Sequence, residues 1–131
     1  MTSSNMKATF TSNIQKVWEV VTDVENYSIW RSDLSKSERL DEKHFVEYTK
    51  GGYATSFVIT VTEIYKRWEF DMDNSNMSGH WIGIFTSKGS NTTVEFIEEV
   101  NVKKVLMKPF VKGYLKKQQA LFIEDLKKAL G

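Results

Sequence analysis

The segment from Pro109 to Leu130 constrains this chain more than any other stretch. Its composition and period are helical. Pro109, the only proline, fits a first helical turn, where its missing N–H costs nothing. Successive residues of a helix turn by about 100°. On that wheel Phe110, Val111, Tyr114, Leu115, Leu121, Phe122, Leu126 and Ala129 share one broad face, opposite Lys112, Lys116, Ala120 and Lys127. Lys127 and Lys128 fall in the last turn, where positive charge suits the helix dipole. A helix with so wide an apolar face must cover something broad, and a sheet is the available partner. Two polar residues interrupt that face, Gln118 near its centre and Asp125 beside it. Burying either without a partner costs roughly 2 kcal/mol or more. Either sheet side chains satisfy them or the face lines a wet cavity. Gln118 is mid-helix, where a cavity would be widest. Asp125 is near the helix end, where a structural hydrogen bond or solvent is expected.

The sheet is read from alternation. Met6 to Phe10 forms a short first strand, with a start that extends earlier left open. Ser12 and Gln15 have the spacing of a capping box, and Ile14, Val17, Trp18 and Val21 follow at helical spacing. Glu25 to Trp30 is a second, short helix or turn. From Leu34 the period becomes two. Strands are expected over Ser35 to Leu40, His44 to Thr49, Tyr53 to Ile64, Arg67 to Met72, Met77 to Thr86 and Thr92 to Val102, with Gly51-Gly52 a hairpin signal. Six consecutive strands with short connections make an antiparallel meander. The chain is therefore α+β, with about seven strands in the order β-α-α-β6-α, and 1–131 is expected to be a single domain.

Composition narrows the function classes. Hydrophobic residues make up 40% and charged residues 27%, which is globular. Aromatics reach 13%, enough ring surface either to line a pocket or to make a ring-rich core. The net charge is +1, which gives no sign of a nucleic-acid partner. Cysteine is absent, so disulfides are excluded and a cytoplasmic location is expected. Met1 to Phe10 has no apolar core of a signal peptide, and no apolar run approaches the roughly 20 residues that span a bilayer. His44 and His80 are the only histidines and lack zinc-like spacing. No phosphate-binding glycine loop or nucleophile elbow occurs, so no metal or cofactor is expected. Most of the eight lysines between Lys103 and Lys128 fall on the outer helix face.

The order of elements, with Val17-Trp18, Thr22-Asp23, Tyr27 and Trp30 in VWEVVTDVENYSIW, resembles the START and polyketide cyclase superfamily. That superfamily also includes the birch-pollen-allergen-like plant proteins. GHWIGIF from Gly79 and KPFVKGYLKKQQALFIEDLKKAL at the end support the likeness, which covers nearly the whole chain. The resemblance implies the helix-grip fold, a curved sheet wrapped around the last helix, with a cavity between them. Its mouth would lie near the short helix and the neighbouring strand loops. Members range from lipid carriers to cyclases, dehydratases and chaperone co-activators, and they share no universal catalytic set.

Parity then nominates the lining. Trp68, Phe70 and Met72 share one strand face and are expected to point inward, as are Phe57, Ile59 and Val61. In the strand from Met77, either Gly79, Trp81, Gly83 and Phe85 face inward or His80, Ile82 and Ile84 do. The first is preferred, because glycines between large rings leave room beneath a helix or ligand. In the second case His80 becomes an acid–base group in the cavity. Glu98 shares its parity with Val94, Phe96 and Val100 and should point inward. It would pair with Arg31 or Lys50 or sit at the cavity mouth. Glu47, on the face of Phe45, raises the same question. Trp30, Arg31, Tyr27 and Tyr53 fall near the expected mouth, and Arg31 either holds a ligand anion or caps surface carboxylates. Trp30, Tyr53, Phe57, Trp68, Phe70, Trp81, Phe85, Glu98, Tyr114 and Gln118 are the candidate ligand-binding residues.

The first functional reading is a monomer or weak dimer that binds a small hydrophobic or amphipathic molecule. The second is a cyclase- or dehydratase-type enzyme in which Glu98, His80 or Tyr114 moves a proton. The third is a protein-binding, co-chaperone-like module.

Overall fold

The computed structural model describes residues 1–131. β1 (Thr2–Phe10) leads into α1 (Ile14–Thr22), a 3-10 turn at Val24–Asn26 and α2 (Tyr27–Trp30). Six strands follow: β2 (Leu34–Arg39), β3 (His44–Thr49), β4 (Ala54–Glu63), β5 (Arg67–Asp73), β6 (Met77–Lys88) and β7 (Asn91–Val102). A 3-10 segment, Val105–Phe110, then feeds α3 (Val111–Leu130). The strands form one antiparallel sheet in the order β1-β7-β6-β5-β4-β3-β2. This is the α+β helix-grip architecture.

Period-two alternation separates the two sheet faces as expected. Trp68 and Phe70 are buried on the inner face, while Glu69 and Asp71 belong to the outer one. Phe70 pairs with Trp81, and Trp81 pairs with Glu98, so all three lie on the same side of the sheet. His80 pairs with Asp71 on the opposite side. The preferred register for β6 is therefore the one adopted, with Trp81 and Phe85 buried. In β4 the parity reading holds for Phe57 and Ile59 and fails at Val61. A register shift between Ile59 and Val61 pairs Val61 with Glu69, on the outer face. A bulge of this kind adds a residue to one strand and turns everything beyond it over.

The caps also differ from expectation. Asn13, not Ser12, caps α1, and its Oδ1 accepts a hydrogen bond from the Lys16 N–H at 2.9 Å. Ser12 lies one residue too early, and its carbonyl accepts from the Thr92 hydroxyl instead, tying the turn to β7. Pro109 sits within the 3-10 segment, so α3 begins at Val111. Extending one helical wheel back through that segment misplaces Phe110, which is 73% exposed. The buried stripe of α3 runs through Val111, Leu115, Gln119, Ile123 and Leu126. Gln119 rather than Gln118 is therefore the fully buried amide. Its Oε1 accepts from the Ser4 hydroxyl at 2.8 Å, and its Nε2 donates to the Ser4 and Phe96 carbonyls. Asp125 is held structurally: its Oδ2 accepts from both the backbone N–H and the hydroxyl of Ser32, each at 2.9 Å. These bonds fix α3 to β1 at one point and to the segment after α2 at another. No helix is long and apolar enough to cross a membrane.

Candidate ligand cavity

The inner sheet face and α3 do not close completely. They enclose a cavity of about 160 Å³, space on the order of ten water molecules. Phe57, Phe70 and Trp81 supply aromatic walls from three adjacent strands, and Phe122 faces them from α3. The Phe70 and Trp81 rings stack at 4.8 Å, nearly parallel. Tyr53 and Tyr114 also line the cavity yet are exposed, Tyr114 by 49%, so the mouth lies between the β3–β4 turn and the first turn of α3. The Tyr53 hydroxyl lies 2.9 Å from the Ser75 hydroxyl and accepts from the Asn76 N–H, which braces that rim. Gln118 lines the wall one residue before the buried Gln119.

Seven of the ten sequence-nominated residues thus line one cavity: Tyr53, Phe57, Phe70, Trp81, Glu98, Tyr114 and Gln118. Trp30, Trp68 and Phe85 do not. Trp68 lies behind the lining layer, packed against Phe45 and edge-on to Trp81. Phe85 is covered by Trp18 of α1 at 4.9 Å, so α1 fills that end of the grip with side chains. Between them Gly83 gives its space to Trp81, whose ring lies 2.8 Å from where a Cβ would stand. Trp30 packs edge-on against Tyr27 and Phe122. Tyr27 is not a rim residue either. It is buried, its hydroxyl donates to the Val21 carbonyl, and its ring forms part of the cavity floor. Burial, reinforced by Glu47, pushes the Tyr27 hydroxyl far above the ordinary tyrosine range.

One end of the cavity is polar. Arg31, which follows α2, donates to Glu47 on β3 at 2.8 Å and to Asp33 at 3.1 Å. Its guanidinium carbon sits 5.2 Å from the Tyr27 ring centre and 5.3 Å from that of Phe122. Burial alone would lower its basicity, but Glu47 and Asp33 outweigh this and keep it firmly protonated. Burial raises Glu47 above the usual carboxylate range, and Arg31 only partly opposes that. Glu98 faces the same space and has neither hydrogen bond nor ion pair. The expected pairing with Arg31 or Lys50 is not made, because Arg31 is already held between Glu47 and Asp33. Burial, with repulsion from Glu47 and a weaker pull from Arg31, pushes the Glu98 carboxyl up to about 7. The Tyr114 hydroxyl is raised by burial and then by Glu98.

His80 is outside this site. On the outer face its Nδ1 lies 2.6 Å from Asp71 and its Nε2 2.6 Å from Glu69. Partial burial would lower the imidazole, but these two carboxylates raise it above its ordinary value. Of the three proton-moving candidates, Glu98 and Tyr114 share the cavity and His80 does not. Sequence reasoning missed Asp33 and Gln119 as lining residues. The signal for Asp33 was its place two residues after Arg31, close enough in the turn after α2 for the carboxylate to meet the guanidinium.

Comparison with known proteins places this architecture. The chain belongs to the polyketide cyclase / dehydrase and lipid transport family, whose profile matches residues 1–131. A START superfamily protein from Mycobacterium smegmatis superposes with a TM-score of 0.88 at 12% identity, covering 98% of this chain and 96% of that one. A conserved protein from Geobacillus kaustophilus gives 0.85 at 12% identity, covering 98% and 95%. The protein XoxI from Bacillus cereus gives 0.82 at 11% identity, covering 99% and 96%. At these identities the likeness establishes the fold. No curated protein matches the chain by sequence.

Proposed function

We propose that this chain binds a small amphipathic molecule in the cavity between its sheet and α3, with residues 1–131 acting as one domain. One observation carries the reading: an open cavity of about 160 Å³ with aromatic walls, into which a small set of charged and polar side chains faces. A pocket of mostly apolar lining with a few placed polar groups is what a small-molecule site requires. Phe57, Phe70 and Trp81 contact the apolar body. Tyr53 and Tyr114 flank its passage, and Gln118 and Glu98 meet its polar part. The protein works in the cytoplasm as a monomer or weak dimer. Native mass spectrometry after expression, followed by calorimetric titration with naphthalene- and alkyl-bearing probes, tests this. Retained or saturable ligand that is lost in Trp81→Ala supports it. No probe bound, and no co-purifying mass, refutes it.

A second reading, a cyclase- or dehydratase-type enzyme, is favoured by one observation. Glu98 and Tyr114 face the same cavity, and Glu98 sits near neutrality, where a carboxyl is a useful proton acceptor. Such a protein should speed deuterium exchange at the acidic C–H of 2-tetralone, followed by NMR in D₂O. The acceleration should vanish in Glu98→Gln. Exchange at the buffer rate in the parent protein removes this reading.

A further inference from the structure

We infer that the polar end of the ligand is a hydrogen-bond donor, a protonated amine before a hydroxyl, and that Glu98 receives it; a carboxylate or phosphate head group is rejected. This rests on the cavity reading above and adds the chemistry of its occupant. An arginine in an apolar cavity ordinarily suggests an anion site, because its fork of N–H groups matches a carboxylate. In this cavity that fork is already occupied. One terminal nitrogen of Arg31 donates to Glu47 and the other to Asp33, and the rings of Tyr27 and Phe122 both lie close to the guanidinium. Of the three N–H groups left over, the one on Nε has no partner and almost no accessible surface, so a molecule in the cavity cannot reach it, and the other two sit on nitrogens already paired with Glu47 and Asp33.

The charge count points the same way. The charged groups lining the cavity are Arg31, Asp33, Glu47 and Glu98. One cation faces three carboxylates, and two of the three are held by Arg31 itself. Glu98 is left as the one ionisable acceptor without a donor. The other polar groups of the wall, among them Gln118, Tyr114 and Tyr53, carry no charge. An incoming anion would meet Glu98 with no free cation to offset it, and like charges close together repel. An ammonium or hydroxyl supplies the missing donor. Its hydrogen bond to an ionised carboxylate is of the stronger, charge-assisted kind.

Four probes that share one ring system separate the head group from the body: 1-naphthylmethylamine, 1-naphthylmethanol, 1-methylnaphthalene and 1-naphthoic acid. Each is titrated calorimetrically at pH 8, where Glu98 is ionised. The amine should bind about tenfold or more tighter than 1-methylnaphthalene, with the alcohol between them and the acid weakest. In Glu98→Gln the amine should lose that advantage, while the affinity for 1-methylnaphthalene stays within about twofold, which shows an intact cavity. Naphthoic acid binding as tightly as the amine overturns the inference and leaves the cavity reading standing. An amine preference that persists in Glu98→Gln also overturns it. If none of the four binds, the cavity reading fails and the inference fails with it.

Discussion

The unpartnered carboxylate makes a stability prediction that needs no ligand. Glu98 is pushed from 4.5 to about 7 in the folded chain. At about 1.4 kcal/mol for each tenfold change in proton affinity, ionised Glu98 destabilises the native state by about 3 kcal/mol. The direction follows from proton counting. At pH 4 the carboxyl is protonated in folded and unfolded chains alike. Between pH 4.5 and 7 the unfolded chain releases the proton and the folded chain retains it, so stability falls as pH rises. Above pH 7 both are ionised and the loss is complete. Glutamine imitates the protonated form in shape and carries no charge. Glu98→Gln should therefore match the parent near pH 4 and gain steadily from pH 4.5 to 7, reaching about 3 kcal/mol at pH 8. In a chain of this size that is a rise in melting temperature of about 10 °C. Urea unfolding followed by tryptophan fluorescence at intervals from pH 4 to 8 reads it, with the slope m unchanged. Glu47 and His80, whose carboxyl and imidazole are also raised, remain in both proteins and largely cancel in the difference. A difference that is flat with pH, or a glutamine variant less stable throughout, would show that Glu98 has a partner. The inference about the ligand would then lose its basis.

Three other perturbations report on what holds the cavity open. Asp125→Ala removes both hydrogen bonds from Ser32 to a charged acceptor and should lower stability by about 2–4 kcal/mol in urea unfolding; a loss under about 0.5 kcal/mol would deny the tie. Gln119→Leu strands the Ser4 hydroxyl and carbonyl, and Ser4→Ala strands the Gln119 oxygen. A double-mutant cycle should therefore show the pair costing less than the sum of the singles by about 1–2 kcal/mol, and simple additivity would refute the coupling. A Cβ at Gly79 would stand 2.5 Å from the backbone carbonyl of Glu99, whereas at Gly83 it would meet side chains rather than backbone, the Trp81 ring at 2.8 Å and Phe85 at 3.3 Å. Gly79→Ala should then destabilise by about 1–3 kcal/mol or more, and Gly83→Ala by less but with weakened probe binding, as calorimetry would show.

How much of this was legible in the sequence depends on the range of the interaction that decides each point. Strand parity is local, and it correctly sent Phe70, Trp81 and Glu98 inward and His80 outward. Element order was legible for the same reason, since each period spans only a few residues. Val61 shows the limit of that reasoning. One inserted residue in β4 turns the face over, and nothing in the alternation of Thr and Val announces where. Phe110 and Gln118 show another limit. A helical wheel assumes a single period, and the 3-10 segment before Val111 breaks it, which leaves Phe110 exposed; within α3 the buried stripe takes in Ile123 and leaves out Tyr114, so it centres on Gln119.

The partners of charged groups are the least legible, because they depend on competition within the folded chain. Parity could place Glu98 in the cavity, but it could not say whether Arg31 would be free to meet it. That is decided by two other residues. Asp33 lies in the turn after α2, two positions beyond Arg31, and the β2–β3 register, with Ser37 opposite Glu47, brings Glu47 to the buried face beside Arg31. Both reach Arg31 before Glu98 does. The acidity of the cavity is therefore a consequence of strand register and the turn after α2. Shifting Arg31's attachments should change which head group the cavity accepts without altering its walls. Glu47→Gln removes one carboxylate and leaves Arg31 a neutral acceptor in its place. It should pull the Glu98 carboxyl down from about 7, since the repulsion goes and the charge of Arg31 is less fully offset. In the same four-probe titration it should narrow the gap between amine and acid by about tenfold. If the gap stays as wide as in the parent protein, Arg31 is not what Glu98 is deprived of.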